Sequence, residues 1–207
     1  MKVLLVNGSP NNRGCTYTGL VEMEKILNEK GIDTEIFHIG RGAISGCSGC
    51  GQCLKTAHCV LKKDKVNEFL SLIESVDGIV FGTPVHFANM AGGLKSFLDR
   101  AFFGKGHLFR GKPAAVIASA RRGGTTAALD ALLKYPAFAE MPIVSGRYWN
   151  MIHGNSPEEV LQDIEGIQNL QVVATHMAWL LQCIDVAKQN DIPFPTVEKK
   201  VKTNFIR

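Results

Sequence analysis

The sequence has no apolar run approaching the roughly 20 residues of a membrane span. Its apolar start, Met1 to Val6, gives way to Asn7-Gly8-Ser9-Pro10 too soon for a secretion signal. The expected address is therefore the cytoplasm, with no membrane partner. Charge of one sign is not in excess: 23 Lys and Arg face 19 Asp and Glu, a formal net charge of +4. The basic pairs Lys62-Lys63 and Lys199-Lys200 read as solvated faces, so no nucleic-acid partner is expected. Two nucleotide signatures are also missing. Without a Gly-Lys-Ser/Thr ending there is no triphosphate loop, and without Gly-x-Gly-x-x-Gly a dinucleotide pyrophosphate site is disfavoured. The six cysteines, in a chain with no export signal, read as thiols or metal ligands rather than as a disulfide framework.

What remains is globular: 45% hydrophobic and 20% charged over 207 residues, enough for one core and short for two. One domain over 1–207 is expected, ending in a surface tail from about residue 190. Short β-branched runs at Lys2–Val6, Asp33–His38, Gly78–Phe81, Ala114–Ala118 and Pro142–Val144 read as strands. Helical spacing fills the gaps. Leu20, Met23 and Leu27 mark Thr16–Lys30, which Gly31 closes. Val66, Phe69, Leu70 and Ile73 mark a helix opened by Lys63-Asp64, and Leu94, Phe97, Leu98 and Ala101 mark another. Thr125–Lys134 follows. Ser156-Pro157-Glu158-Glu159 then starts a long helix, read as broken at Gly166 and continuing past Ile184.

Alternating strands and helices imply a parallel sheet covered on both faces. Five such units fit an α/β, flavodoxin-like three-layer sandwich, a five-stranded parallel sheet of order 2-1-3-4-5. Its ligand is expected at the carboxyl ends of the strands. The loops there are unusual. Gly8 to Thr18 is rich in small and hydroxyl residues and runs into a helix N-terminus, which suits a monophosphate. Arg13 adds charge, and Cys15 sits beside it. Gly82 to Gly93 carries Pro84, Val85, His86 and Phe87, with flat side chains for a planar ring. Ser119, Ala120, Arg121, Arg122, Gly123 and Gly124 supply backbone donors and two guanidinium groups for ring carbonyls or an incoming phosphorylated nicotinamide. Each loop also has a plain reading as a connector; their convergence on one edge makes the case.

At Gly8-Ser9-Pro10, Gly14-Cys15-Thr16-Tyr17-Thr18, Thr83-Pro84-Val85 and Gly93-Leu94-Lys95-x-Phe97-Leu98-Asp99-Arg100, the chain resembles the NADPH-dependent FMN reductase and iron–sulfur flavoprotein family. The resemblance implies FMN, with Ser9, Asn11, Arg13, Thr16, Tyr17 and Thr18 on its phosphate. It places Pro84, Val85, His86, Phe87, Arg121, Arg122, Gly123 and Gly124 around its ring. His86 stands where the family often has Tyr. Asp99 and Arg100 are read as helix-packing residues.

Cys47-x-x-Cys50-x-x-Cys53-x5-Cys59 lies in the loop after the second strand. The spacing is close to a ferredoxin run, with a longer last gap and no following Pro. It resembles the iron–sulfur flavoprotein motif, which implies a [4Fe–4S] cluster; zinc on four thiolates, or reduced thiols with no metal, are the alternatives. Cys183 reads as core. The expected function is an oxidoreductase passing electrons from NAD(P)H through flavin to a quinone, flavin or similar small-molecule acceptor or redox protein, with no side-chain acid, base or nucleophile. The alternatives are a non-enzymatic electron carrier and a cysteine-based redox sensor. A homodimer or homotetramer is expected from the long apolar-striped segment after Ser156.

Overall fold

In the computed structural model the described residues are 1–207 other than Ala57, Lys199, Lys200, Lys202, Asn204, Ile206 and Arg207. The Lys199-Lys200 pair lies outside them.

The strands form where the hydrophobic runs lie. β1 (Lys2–Asn7) is flanked by β2 (Asp33–His38) and β3 (Gly78–His86); β5 (Ala114–Ala120) adds to β3, and β6 (Met151–His153) to β5, all parallel. Set aside β4 (Asn89–Met90), a two-residue strand that folds back antiparallel on β3, and the order is the expected 2-1-3-4-5. This is a flavodoxin-like sheet. Successive side chains of β1 serve opposite faces. Leu4 and Val6 join the core built on α3 (Val66–Leu72), α4 (Gly92–Lys105) and α5 (Thr125–Phe138), while the short α2 (Cys53–Thr56) lies against α4 outside that core. Val3 and Leu5 join the core built on α1 (Cys15–Glu29) and α7 (Ile164–Gln189). Both faces are covered, so β5 is buried at every residue despite holding four alanines.

Three expectations need correction, the last of them Cys183, which was expected in the core and is exposed on α7 (Ile164–Gln189). The fifth strand is Met151–His153, not Pro142–Val144, which makes only an isolated bridge at Ala114–Ile143. The chain touches β5 there, leaves at Ser145, and returns at Asn150, whose carbonyl accepts from the Ala118 N–H at 2.9 Å. The second correction concerns the helix after Ser156. That residue caps α6 (Pro157–Val160) through its side chain as expected, but the break falls at Leu161–Asp163. Gly166 lies inside α7, where its N–H donates to the Asp163 carboxylate at 3.0 Å, a fresh N-cap that restarts the helix.

α7 is long and apolar enough by composition to cross a membrane. Here one stripe of it (Leu170, Val173, Ala174, Met177, Leu181) is buried in the core that α1 shares. Beyond α7, the Arg110 guanidinium sits 5.0 Å over the Phe194 ring and donates to the Pro195 carbonyl at 2.7 Å.

Candidate functional site

Parallel strands bring the loops after β1, β2, β3, β5 and β6 to one edge. The first loop is shaped by a residue that sequence reading passed over. Asn7, fully buried, accepts the Ser9 N–H at 3.1 Å and donates to the Asn12 carbonyl at 3.1 Å. The Ser9 hydroxyl then accepts from the Asn11 N–H at 3.0 Å, and His38 Nε2 lies 2.8 Å from the Ser9 carbonyl. α1 begins beyond Gly14, which offers no side-chain cap, and its first turn carries no acid. Its leading N–H groups therefore present positive potential to whatever enters the loop.

Thr16 and Ser119, both buried, join hydroxyls at 2.7 Å across the first loop and the end of β5. They border a cleft of about 180 Å³. Ser9, Asn11, Cys15 and Thr16 line it from the first loop, Pro84 and Val85 from β3, and Ser119, Ala120 and Arg121 from β5. Gly154 and Asn155, after β6, complete it; no motif marked them. The Cys15 Sγ lies 3.5 Å from the Gly154 carbonyl, and burial pushes its thiol up.

The other residues named from sequence stand outside this cleft. Arg13 is exposed on the loop, Tyr17 is half-buried on α1, and the Thr18 hydroxyl donates to the Gly14 carbonyl at 3.2 Å. His86 lines a neighbouring cleft of about 390 Å³ with the loop after β2. Phe87 and Ala88 form the tip of the β3–β4 hairpin, with φ of 49° and 55°. Positive φ at both central positions is the type I′ geometry, which favours Asn and Gly, so this tip is strained. Phe87 projects into solvent. Arg122 and Gly123 are exposed on the loop after β5. Gly124, at φ 95°, meets the hairpin so closely that a Cβ there would lie 2.7 Å from the Ala88 Cα.

The cysteine loop forms a second centre on the same edge. Cys47, Cys50, Cys53 and Cys59 are free thiols lining one small cavity of about 20 Å³, with Arg100 and Phe103 on its wall. Gly49 and Gly51, both at φ 68°, let the backbone curl between consecutive cysteines. Burial pushes the Cys53 thiol up, and the nearby Cys59, Cys47 and Cys50 push it the same way; a backbone N–H from Gln52 lowers Cys50. Among the described residues no group of three His, Cys, Asp or Glu is gathered to hold a metal ion. In donor chemistry the set fits an iron–sulfur cluster: four sulfurs around one cavity, with no carboxylate or imidazole among its lining residues.

Arg100, read from sequence as a packing residue, is 2% exposed and polar in every contact that matters. It pairs with Asp64 and donates to the Leu61 carbonyl at 2.6 Å and the Ser45 carbonyl at 3.3 Å. Its Nε donates to the Cys59 Sγ at 3.2 Å. Burial alone would lower the guanidinium pKa, but the bonds to Asp64 and Cys59 outweigh it and hold it above its ordinary value. Asp99 pairs with Lys95 at 2.8 Å and accepts from the Tyr135 hydroxyl, binding α4 to α5.

Residues 1–156 match the family model for NADPH-dependent FMN reductase. The chain is 34% identical to an iron–sulfur flavoprotein of Archaeoglobus fulgidus over 160 residues, 72% of this chain and 78% of that one. It is 30% identical to an iron–sulfur flavoprotein of Methanocaldococcus jannaschii over 185 residues, 83% and 92% of the two chains. Among solved structures, RosB with bound 8-demethyl-8-formylriboflavin-5'-phosphate superposes with a TM-score of 0.68 at 16% identity, covering 100% of this chain and 94% of that one. An archaeal flavodoxin superposes at 0.58 and 12% identity, covering 88% and 99%. At such identities the structural likeness shows the fold.

Proposed function

The chain belongs to the NADPH-dependent FMN reductase family, and from that premise we propose that this oxidoreductase holds FMN non-covalently in the 180 Å³ cleft and works in the cytoplasm. Electrons come from NAD(P)H and go to a quinone, flavin or similar acceptor, or to a redox protein. The observation that carries this reading is the junction of Ser9, Thr16 and Ser119 hydroxyls with the uncapped start of α1. That is a seat for one phosphate, with no second phosphate loop beside it.

Bound FMN supplies hydride acceptance from a nicotinamide and one- or two-electron donation to an acceptor. The chain's residues do the rest. Ser9, Thr16 and the first N–H groups of α1 hold the phosphate. Pro84, Val85, Ala120 and Arg121 border the ring, and the neighbouring Arg122 offers a cation to the nicotinamide cosubstrate's phosphate. Cys47, Cys50, Cys53 and Cys59 hold a [4Fe–4S] cluster, a reading supported by their common cavity, their all-sulfur donor set and the names of the relatives.

Anaerobic purification with reconstitution by iron and sulfide, followed by NADPH or NADH addition, tests both parts. The expected result is one FMN and one cluster per chain, with bleaching of the flavin band by the nicotinamide. Stoichiometric FMN with no nicotinamide oxidation would make the protein an electron carrier instead. No iron uptake would remove the cluster.

A further inference from the structure

We infer that Arg100 is a positioning residue for the iron–sulfur centre, fixing Cys59 and donating a hydrogen bond to its sulfur. The inference rests on the cluster reading above and adds to it a residue that ligates nothing.

Three observations carry it. First, Arg100 is on α4, a rigid helix packed in the core, while its partners are all on the cysteine loop: Ser45 before the first cysteine, Cys59 itself, and Leu61 and Asp64 after it. One guanidinium thus ties both ends of the loop to the scaffold, a task suited to its five fixed donors and not to Lys. Second, Cys59 is clamped from the other side as well. The Asn67 side chain accepts from the Cys59 N–H at 2.8 Å and donates to its carbonyl at 2.9 Å. The backbone is held by Asn67 and the sulfur is addressed by Arg100, which leaves Cys59 little freedom beyond its side-chain rotation. Third, the charge arithmetic suits a thiolate. Asp64 already balances the buried cation, so the Nε–H aimed at Cys59 is a directed donor rather than a bare counter-charge.

Hydrogen bonds to ligand sulfur stabilise the more reduced, more negative state of a cluster and raise its reduction potential. The expected consequence is specific to the metal centre. Arg100→Lys keeps a cation against Asp64 but loses the Nε donor. It should retain the cluster with a lowered reduction potential and leave FMN affinity as in the wild type. Because Arg100→Lys can loosen the loop, Arg100→Gln with Asp64→Asn provides a second, charge-matched variant, expected to shift in the same direction.

Both variants are reconstituted anaerobically as full chains and read by potentiometric titration of the cluster, resonance Raman of the iron–sulfur(Cys) stretches, and FMN titration. A lowered potential with altered iron–sulfur stretches and unchanged FMN affinity supports the inference. A potential equal to that of the wild type in a variant holding a full cluster overturns it while leaving the cluster reading intact. Failure of the wild-type protein to take up iron overturns the cluster reading and this inference together.

Discussion

Thr16 and Thr18 look equivalent along the chain, both hydroxyl residues in the first turn of α1, and both were expected on the phosphate. Their surroundings separate them. Thr16 shares a hydrogen bond with Ser119 and borders the cleft; Thr18 returns its hydroxyl to the Gly14 carbonyl. Removing a hydrogen bond to a charged group costs about 1.5–3 kcal/mol, so Thr16→Val should weaken FMN binding at least about tenfold. Thr18→Val should change it by no more than a few-fold. Fluorescence titration of the deflavinated protein distinguishes them, and equal effects would place the phosphate elsewhere. Asn7 was not legible because an Asn before Gly-Ser-Pro reads as a turn former; its role comes from being buried at a strand end with both amide atoms committed to the loop.

Among the elements, the β3–β4 hairpin depends on its neighbour. Val85 pairs with Met90 and His86 with Asn89, and the strained Phe87-Ala88 tip is braced where Gly124 passes beneath it. A methyl group at Gly124 would meet the Val85 Cγ1 at 2.9 Å as well as the Ala88 backbone, at a φ that disfavours any side chain. Gly124→Ala should therefore cost about 1–3 kcal/mol and weaken FMN binding by displacing Val85. Urea denaturation and flavin titration measure the two effects. A variant as stable as the wild type would show that the hairpin is not braced there. The divided fifth strand has a similar cause. The buried Asn169 side chain on α7 accepts from the Arg147 and Tyr148 N–H groups at 2.8 and 3.0 Å, drawing that segment off the sheet edge. Neither contact leaves a periodic trace in the sequence.

Over the whole molecule, exposed apolar side chains include Leu54, Phe87 and Phe138 and, later in the chain, Tyr148, Trp149, Ile164, Trp179 and Val186. Large exposed apolar surface commonly marks an interface. A homodimer or homotetramer is the expected outcome of sedimentation at micromolar concentration, and Trp179→Glu should shift it toward monomer. A wild-type monomer that stays flavin-loaded and active would contradict the expectation.

The sequence by itself determined the layered α/β class, the order of the first four parallel strands and which loops meet on one edge of the sheet. These follow from hydrophobic period and from loop residues contiguous in the chain, and the same local signals placed α1, α3, α4 and α5 to within a few residues. Only the tertiary structure decided which hydroxyl faces the cleft, where the last strand pairs, and that Arg100 reaches a sulfur 41 residues away. Those outcomes depend on side chains brought together by folding, and a one-dimensional pattern carries the spacing of residues but not the direction in which a buried donor points.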